Sequence, residues 1–214
     1  MNPKKIFDFI GKKNPKYDLE NIIKFYGTGM YSGPSERNYT YDVTEKLFKF
    51  IDDPSEELQL STVSTSGLNS IQYIENPTEK VQYLAVNGNP YTIKHIKNPT
   101  EKVQLRAIEQ TPYAIEYIKN PSEEIQLKVI NRDAVLIQFI NNPTEEVQLK
   151  VLDINPDLFK LIINPTDKVK NIYREILNEQ LEIYKKLLTR RPDNNIYKEK
   201  LEEIIENLKK LDEK

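Results

Sequence analysis

The chain has 214 residues, of which 38% are hydrophobic and 30% are charged, and its formal net charge at pH 7 is −2. That length suffices for one or two folded units with a hydrophobic core, and the balanced charge argues against a dedicated nucleic-acid-binding protein. The absence of cysteine excludes disulfides and thiolate metal sites, and no apolar run is long enough to cross a membrane. The start lacks the pattern of a secretory signal, so we expect a cytoplasmic protein.

Residues 1–43 form a separate N-terminal region in our prediction, with two segments that look like degenerate copies of later helices. A loop at 26–42, "YGTGMYSGPSERNYTYD", is rich in Gly and Tyr but lacks the strand and the Lys-Ser/Thr of a phosphate-binding loop. Its side chains Tyr31, Arg37, Tyr39 and Tyr41 are of the types that anchor protein interfaces. A tether lying across the first repeat is an equally valid interpretation of this loop.

Residues 44–166 form an array of 22-residue repeats. The octet "NPTEKVQL" at 98–105 recurs with small changes, and the prolines of successive octets at 77, 99, 121, 143 and 165 lie 22 residues apart. An earlier copy begins near Pro54, with one extra residue around Gly67. A fixed period of this size indicates a solenoid of stacked repeats.

Each copy contains two helix start signals. In the first, such as Asn98, Pro99 and Glu101, we expect Asn to cap the free amides, Pro to hold the first helical position and Glu to face the helix dipole. A helix of about ten residues follows this signal. The second signal, such as Asn89-Pro90, opens a shorter helix. The predicted fold class is therefore all-α, an α-solenoid of short helix pairs.

A glutamine lies at the centre of the apolar arc of the first helix. With the opening Asn or Asp of each copy as position 1, positions 3, 6, 7, 10 and 11 share one face, and positions 5, 9 and 12 share the opposite face. Position 7 is occupied by Gln59, Gln82, Gln104, Gln126 and Gln148. Because a buried amide needs hydrogen-bond partners, we expect a structural ladder that bonds helix-end backbone groups or the Asn of a neighbouring copy. A solvent-facing binding row is the alternative.

The string "NPTEEVQLKVL" at 142–152 resembles the first helix of the HEAT-like and leucine-rich-repeat-variant families. The whole unit is most similar to 22-residue repeats of the NPxEEVQL type in proteins of bacteriophages and large DNA viruses. The resemblance spans about residues 44–172 and implies an α-helical superhelix that binds partners. The families carry Arg at position 7, where this chain has Gln and, in its last copy, Lys170.

Residues 167–214 break the period and predict a C-terminal helical hairpin that caps the solenoid. One helical stripe comprises Ile172, Ile176, Leu181, Tyr184 and Leu188. A turn follows at "RRPDNN", 190–195, and the second stripe comprises Leu201, Ile204, Ile205, Leu208 and Leu211. Solenoids need ends with a polar outer face, which favours a cap. Formation of a homodimer through the same hairpin is the alternative.

Catalytic and metal-binding constellations are scarce. His95, the single histidine, occupies position 20, where the other copies have Tyr73, Tyr117, Phe139 and Leu161. We therefore assign His95 to a half-buried aromatic row rather than to catalysis. Paired acids in the first helical turns are explained by the helix dipole. We expect no enzyme activity, no cofactor and no metal.

Two variable positions remain as candidate partner-binding surfaces. Position 16 carries Tyr91 and Tyr113, and position 9 carries the basic stripe Arg106, Lys128 and Lys150, which we expect on the exposed arc. The leading hypothesis is a protein-binding solenoid. On the basis of the resemblance, its most concrete version is a phage or viral protein that we expect to bind and inhibit a host protein, such as a defence component, in the host cytoplasm. The alternatives are binding of a nucleic-acid backbone along the basic stripe, and a structural assembly spacer.

Overall fold

A computed structural model describes residues 54–65 and 67–212, and every regular element in these ranges is a helix. The predicted N-terminal region 1–43 lies outside the described residues, together with residues 44–53 of the array. The candidate binding residues Tyr31, Arg37, Tyr39 and Tyr41 therefore also lie outside them.

Each described copy pairs an α-helix of ten residues with a 3₁₀ helix of six. The α-helices are α1 (Glu56–Thr65), α2 (Glu79–Gly88), α3 (Glu101–Gln110), α4 (Glu123–Arg132) and α5 (Glu145–Ile154). The 3₁₀ helices are η1 (Leu68–Tyr73), η2 (Pro90–His95), η3 (Pro112–Tyr117), η4 (Ala134–Phe139) and η5 (Pro156–Leu161). The predicted all-α solenoid of short helix pairs is confirmed, and its second helix is of the tighter 3₁₀ type.

The first start signal is used differently from the prediction. The residue that caps each of the helices α2 to α5, and the helix that begins at Asp167, is the Thr or Ser at position 3, and the helix begins at the acidic residue after it. Thr78 and Thr144 accept hydrogen bonds from the amides of Val81 and Val147. The prediction that Asn caps the helix and that Pro holds its first position was wrong, because Thr-Glu is an equally good start signal two residues later.

The second start signal agrees with the prediction in the copies that carry Asn-Pro. Asn89 caps η2 by accepting a hydrogen bond from the amide of Tyr91 at 3.1 Å, and Asn155 does the same for η5. In the first copy Gly67 precedes η1 with φ 91°, a backbone conformation that side chains other than Gly rarely adopt. The extra residue near Gly67 is thus accommodated in the turn between α1 and η1.

Branched apolar residues from both helices of each copy form the core. The α-helices bury positions 6, 10 and 11, such as Val103, Ala107 and Ile108, as the periodicity predicts. The 3₁₀ helices η2 to η4 bury position 18, such as Ile93 and Ile115. Since ten-residue helices are marginal in isolation, this burial between copies is what stabilises them.

The chain divides into two compact units, Met1–Ile118 and Lys119–Lys214. In the first unit α2 contacts both α1 and α3, while η2 contacts both η1 and η3. In the second unit α4 contacts α5 and η4 contacts η5. Within each unit, the α-helices of successive copies thus pack on each other, and so do their 3₁₀ helices.

The second unit ends in the predicted hairpin, formed by α6 (Asp167–Arg190) and α7 (Asn195–Asp212). The buried positions of α6 are Val169, Tyr173 and Leu177. The predicted stripe is displaced by one residue only at its start, where Tyr173 and Leu177 are buried and Ile172 and Ile176 are half-buried; later in the stripe, Tyr184 contacts Tyr197 of α7. The reason is that the start of α6 is also a sixth copy of the repeat, so Val169 and Tyr173 at positions 6 and 10 face the core.

Candidate functional site

The position-7 glutamines form a row of hydrogen bonds, the glutamine ladder, which is defined by Gln59, Gln82, Gln104, Gln126 and Gln148. Each Nε2 donates to the carbonyl oxygen of the Pro at position 2 of its own copy, at 2.9–3.0 Å. This bond closes the turn that leads into the α-helix. Four of the five side chains are buried, and that of Gln104 is half-buried.

The second bond of the ladder joins neighbouring copies within a unit. The Oε1 of Gln59 accepts from the Thr78 amide at 3.1 Å, and the Oε1 of Gln126 accepts from the Thr144 amide at 3.1 Å. Gln82 and Gln148 bond Thr100 and Thr166 in the same way. One side chain thus satisfies an acceptor in its own copy and a donor in the next, which fixes the register between the two copies.

Two members of the position-7 row differ from this pattern. The Oε1 of Gln104 is buried and has no hydrogen-bond partner within the described part of the chain. In the sixth copy, position 7 is Lys170, whose ammonium group can donate but cannot accept a hydrogen bond. A copy with lysine at this position cannot offer an acceptor to a following N-cap amide.

A second row of contacts between copies runs along the surface, and the sequence analysis missed it. The Lys at position 5 reaches back to the Glu at position 4 of the preceding copy. The pairs are Lys80 with Glu56 at 3.4 Å, Lys102 with Glu79 at 3.4 Å and Lys168 with Glu145 at 3.1 Å. The repeated Glu-Lys dipeptide at 79–80 and 101–102 was the available signal. Exposed pairs of this kind contribute little individually.

Hydrogen bonds within this row lower the pKa of two carboxyl groups, those of Glu56 and Glu145. The hydrogen bond from the Thr78 side chain, followed by Lys80, lowers the pKa of Glu56 against the opposing effect of burial. Lys168 and then Thr166 lower the pKa of Glu145. A carboxyl group whose pKa is lowered in the folded state stabilises the fold above its ordinary pKa. It loses that effect as the pH falls through the lowered value.

Three tyrosines of the first unit lie exposed on η2 and η3 and form what we call the aromatic face: Tyr91, Tyr113 and Tyr117. Their exposed fractions are 42%, 52% and 37%. The rings of Tyr91 and Tyr117 meet edge to face, with centroids 6.3 Å apart. The charge of Glu116 and, second, burial raise the pKa of Tyr117, so its hydroxyl stays protonated and able to donate. Tyr117 was predicted only as a half-buried residue of the aromatic row.

His95 lies between these tyrosines in sequence and is half-buried. Burial, followed by the charge of Lys94, lowers the pKa of His95, so the imidazole is neutral near pH 7. In the second unit the same positions of the repeat carry the exposed side chains of Val135 and Phe139. Exposed apolar or aromatic side chains therefore occur at positions 16 and 20 of η3 and η4, one in each unit.

The basic stripe is less exposed than predicted, because all of its members are half-buried. Arg106 donates from Nε and Nη2 to Oδ1 of Asn87 in the preceding copy, at 2.9 Å and 2.7 Å. Lys150 Nζ lies 2.9 Å from Oδ2 of Asp153. Lys128 occupies the same position in α4. The assignment of position 9 to the exposed arc was wrong, since this position borders the neighbouring helix.

Other chemistry is sparse in residues 54–65 and 67–212. Within these ranges no three His, Asp or Glu side chains are grouped closely enough to hold a metal ion. The described helices also lack the combination of length and apolarity that a membrane span requires.

No protein-family model, curated protein or solved structure matches this chain. The class of protein is therefore defined by the fold alone, which is an all-α solenoid of short helix pairs with a C-terminal helical hairpin.

Proposed function

We propose that this chain is a non-enzymatic, protein-binding solenoid and that the aromatic face is its binding surface. The observation that supports the proposal is the exposure of Tyr91, Tyr113 and Tyr117 on consecutive 3₁₀ helices. Tyrosine is enriched among the residues that dominate binding energy, because its ring buries a large area and its hydroxyl still forms hydrogen bonds.

The surroundings of the aromatic face favour a preformed surface. The backbones on either side of Tyr91 and Tyr113 are held by the buried residues Thr92, Ile93, Ala114 and Ile115. A tyrosine has only two side-chain torsions, so a ring on a fixed backbone loses little entropy when a partner covers it.

The partner we propose is a host protein, such as a component of a defence system. This part of the proposal rests on the resemblance of the repeats to those of bacteriophage and large-virus proteins. On that basis the chain would act in the cytoplasm of the host by binding and inhibiting its target.

The contacts that the basic stripe makes within the protein disfavour the nucleic-acid alternative. Arg106 and Lys150 are engaged with Asn87 and Asp153, so binding to phosphates would require these contacts to be exchanged. A row of about three phosphate contacts would also give weak binding that falls steeply with salt.

The test compares two sets of substitutions in capture of a partner from host lysate, with and without nuclease. We expect Tyr91→Ala with Tyr113→Ala to reduce the captured partner about tenfold, because central aromatic anchors dominate such interfaces. Reversal of Arg106, Lys128 and Lys150 to Glu should have a smaller effect. Ile183→Ala with Ile196→Ala, at exposed apolar positions of the hairpin, is the matched control and should change nothing.

Two outcomes would contradict the proposal. Retention of nucleic acid at near-physiological salt, abolished by the charge reversal and untouched by the tyrosine changes, would establish the basic stripe as the functional surface. Capture that neither set alters would favour a structural assembly spacer.

A further inference from the structure

A cleft lies between η5, α6 and α7 in the second unit, and we call it the C-terminal cleft. Its volume is about 210 Å³, and its lining includes Lys160, Lys170 and Lys210 but no acidic residue. The stacked rings of Phe159 and Tyr173, with centroids 4.0 Å apart and planes 12° apart, form its apolar wall. It thus combines several cations with an aromatic surface.

Lys170 is the unusual member of this lining. It holds position 7, the centre of the buried arc, where the preceding copies carry Gln. Its side chain is 27% exposed, and it forms an ion pair at 3.6 Å with Asp167, whose side chain is 96% exposed. Such a solvent-exposed partner compensates a half-buried ammonium only weakly.

The other two lysines differ in their partners. Lys160 has no acidic partner within the described residues and is available to an anion, whereas Lys210 is paired with Glu206 at 2.6 Å. Asp157 and Glu203 are two further carboxylates, close enough for their charges to act on Tyr173, and they line a separate cleft. Burial and then these two charges raise the pKa of Tyr173, so its hydroxyl can donate a hydrogen bond.

We propose that the C-terminal cleft binds a carboxylate that carries an aromatic or branched apolar group. The carboxylate lies beside Lys170, and the apolar group packs against Phe159 and Tyr173. Both a free organic acid and the C-terminal residue of a peptide present this chemistry. A charge-assisted hydrogen bond to a lysine that is shielded from water discriminates a carboxylate from a neutral amide.

The experiment titrates the full chain with 3-phenylpropionate and with 3-phenylpropionamide, followed by NMR chemical shifts or calorimetry. A pair of peptides that end in Phe, one with a free and one with an amidated C-terminus, forms the second arm. We expect each acid to bind at least about tenfold more tightly than its amide. Tighter binding of 3-phenylpropionate would indicate a free organic acid as the ligand. Tighter binding of the peptide with a free C-terminus would indicate a peptide.

Lys170→Gln should weaken acid binding about tenfold without lowering the melting temperature, because Gln is the residue of the preceding copies at this position. Lys185→Gln is the matched control: it removes the same charge from α6 at an exposed position outside the cleft and should leave binding unchanged. Thermal melts of both variants separate loss of binding from loss of structure.

Equal binding of acid and amide would overturn the proposal, as would unchanged acid binding by Lys170→Gln or no binding at about 10 mM acid. Light scattering on the same samples tests a second copy of the chain as the occupant. A dimer that excludes the acid and survives Lys170→Gln would assign the cleft to self-association.

Discussion

The repeat helices and the helices of the C-terminal hairpin are aligned by different kinds of interaction. Helices α1 to α5 have ten residues each, whereas α6 has 24 and α7 has 18. The short helices are aligned by the glutamine ladder, which bonds to backbone groups. The hairpin is aligned by side-chain packing, including the edge-to-face contact of Tyr184 with Tyr197 at 6.0 Å. Polar bonds thus set register where a helix is too short for apolar contacts to define it.

The largest expected effect comes from removal of the hairpin. Ending the chain after Asn164 deletes α6 and α7 and uncovers the apolar surface of α5 and η5 on which Val169 and Tyr173 pack. We expect loss of soluble protein and binding of a hydrophobic dye, measured beside the full chain. If the shortened chain stays soluble and only changes from dimer to monomer in light scattering, the hairpin is a dimerisation element instead.

An intermediate effect is expected from breaking one link of the ladder. Gln126→Ala strands the Pro121 carbonyl and the Thr144 amide, which should lower the free energy of unfolding by about 1–3 kcal/mol. Thermal or denaturant melts followed by circular dichroism give the value. Gln138→Ala, at an exposed position of η4, is the control and should stay within about 0.5 kcal/mol. An unchanged midpoint for Gln126→Ala would mean that the ladder does not stabilise the array.

The smallest effect concerns one position of the surface row. Position 5 is Lys80, Lys102 and Lys168 in the paired copies but Glu146 in α5, where it follows Glu123 at position 4 of the preceding copy. Glu146→Lys should create the missing ion pair and raise the melting temperature by no more than about 2 °C at low salt.

That gain should disappear at about 1 M salt, because exposed charges are then screened. Glu146→Gln, which removes the repulsion without adding a partner, should give a smaller increase. A larger gain for Gln than for Lys would show that the two positions do not meet in the second unit.

The repeat and the burial of position 7 were predictable because a fixed period and the helical angle determine both. The sequence did not distinguish a 3₁₀ from an α-helix at residues such as 90–95, since six residues form either type with similar hydrogen bonds. The N-cap was misplaced because Asn98 and Thr100 are both good capping residues. Both errors concern alternatives that are close in free energy.

Features that depend on the offset between copies were not predictable. The pairing of Lys102 with Glu79 requires that position 5 of one helix lie beside position 4 of the preceding α-helix. The period alone does not determine this offset. The half-buried state of Arg106 has the same origin. The C-terminal cleft depends on the return of α7 across α6, and a single sequence gives no measure of that crossing.

The hydrogen bonds of the ladder determine which groups an inserted repeat must supply. The link uses a backbone amide of the receiving copy: the amides of Thr78 and Thr144 donate to Oε1 of Gln59 and Gln126, each at 3.1 Å. A tandem duplication of one coding repeat within a unit would therefore yield a copy that already presents the required donor and acceptor. Position 170 differs, because a lysine there offers no acceptor for the N-cap amide of a further copy.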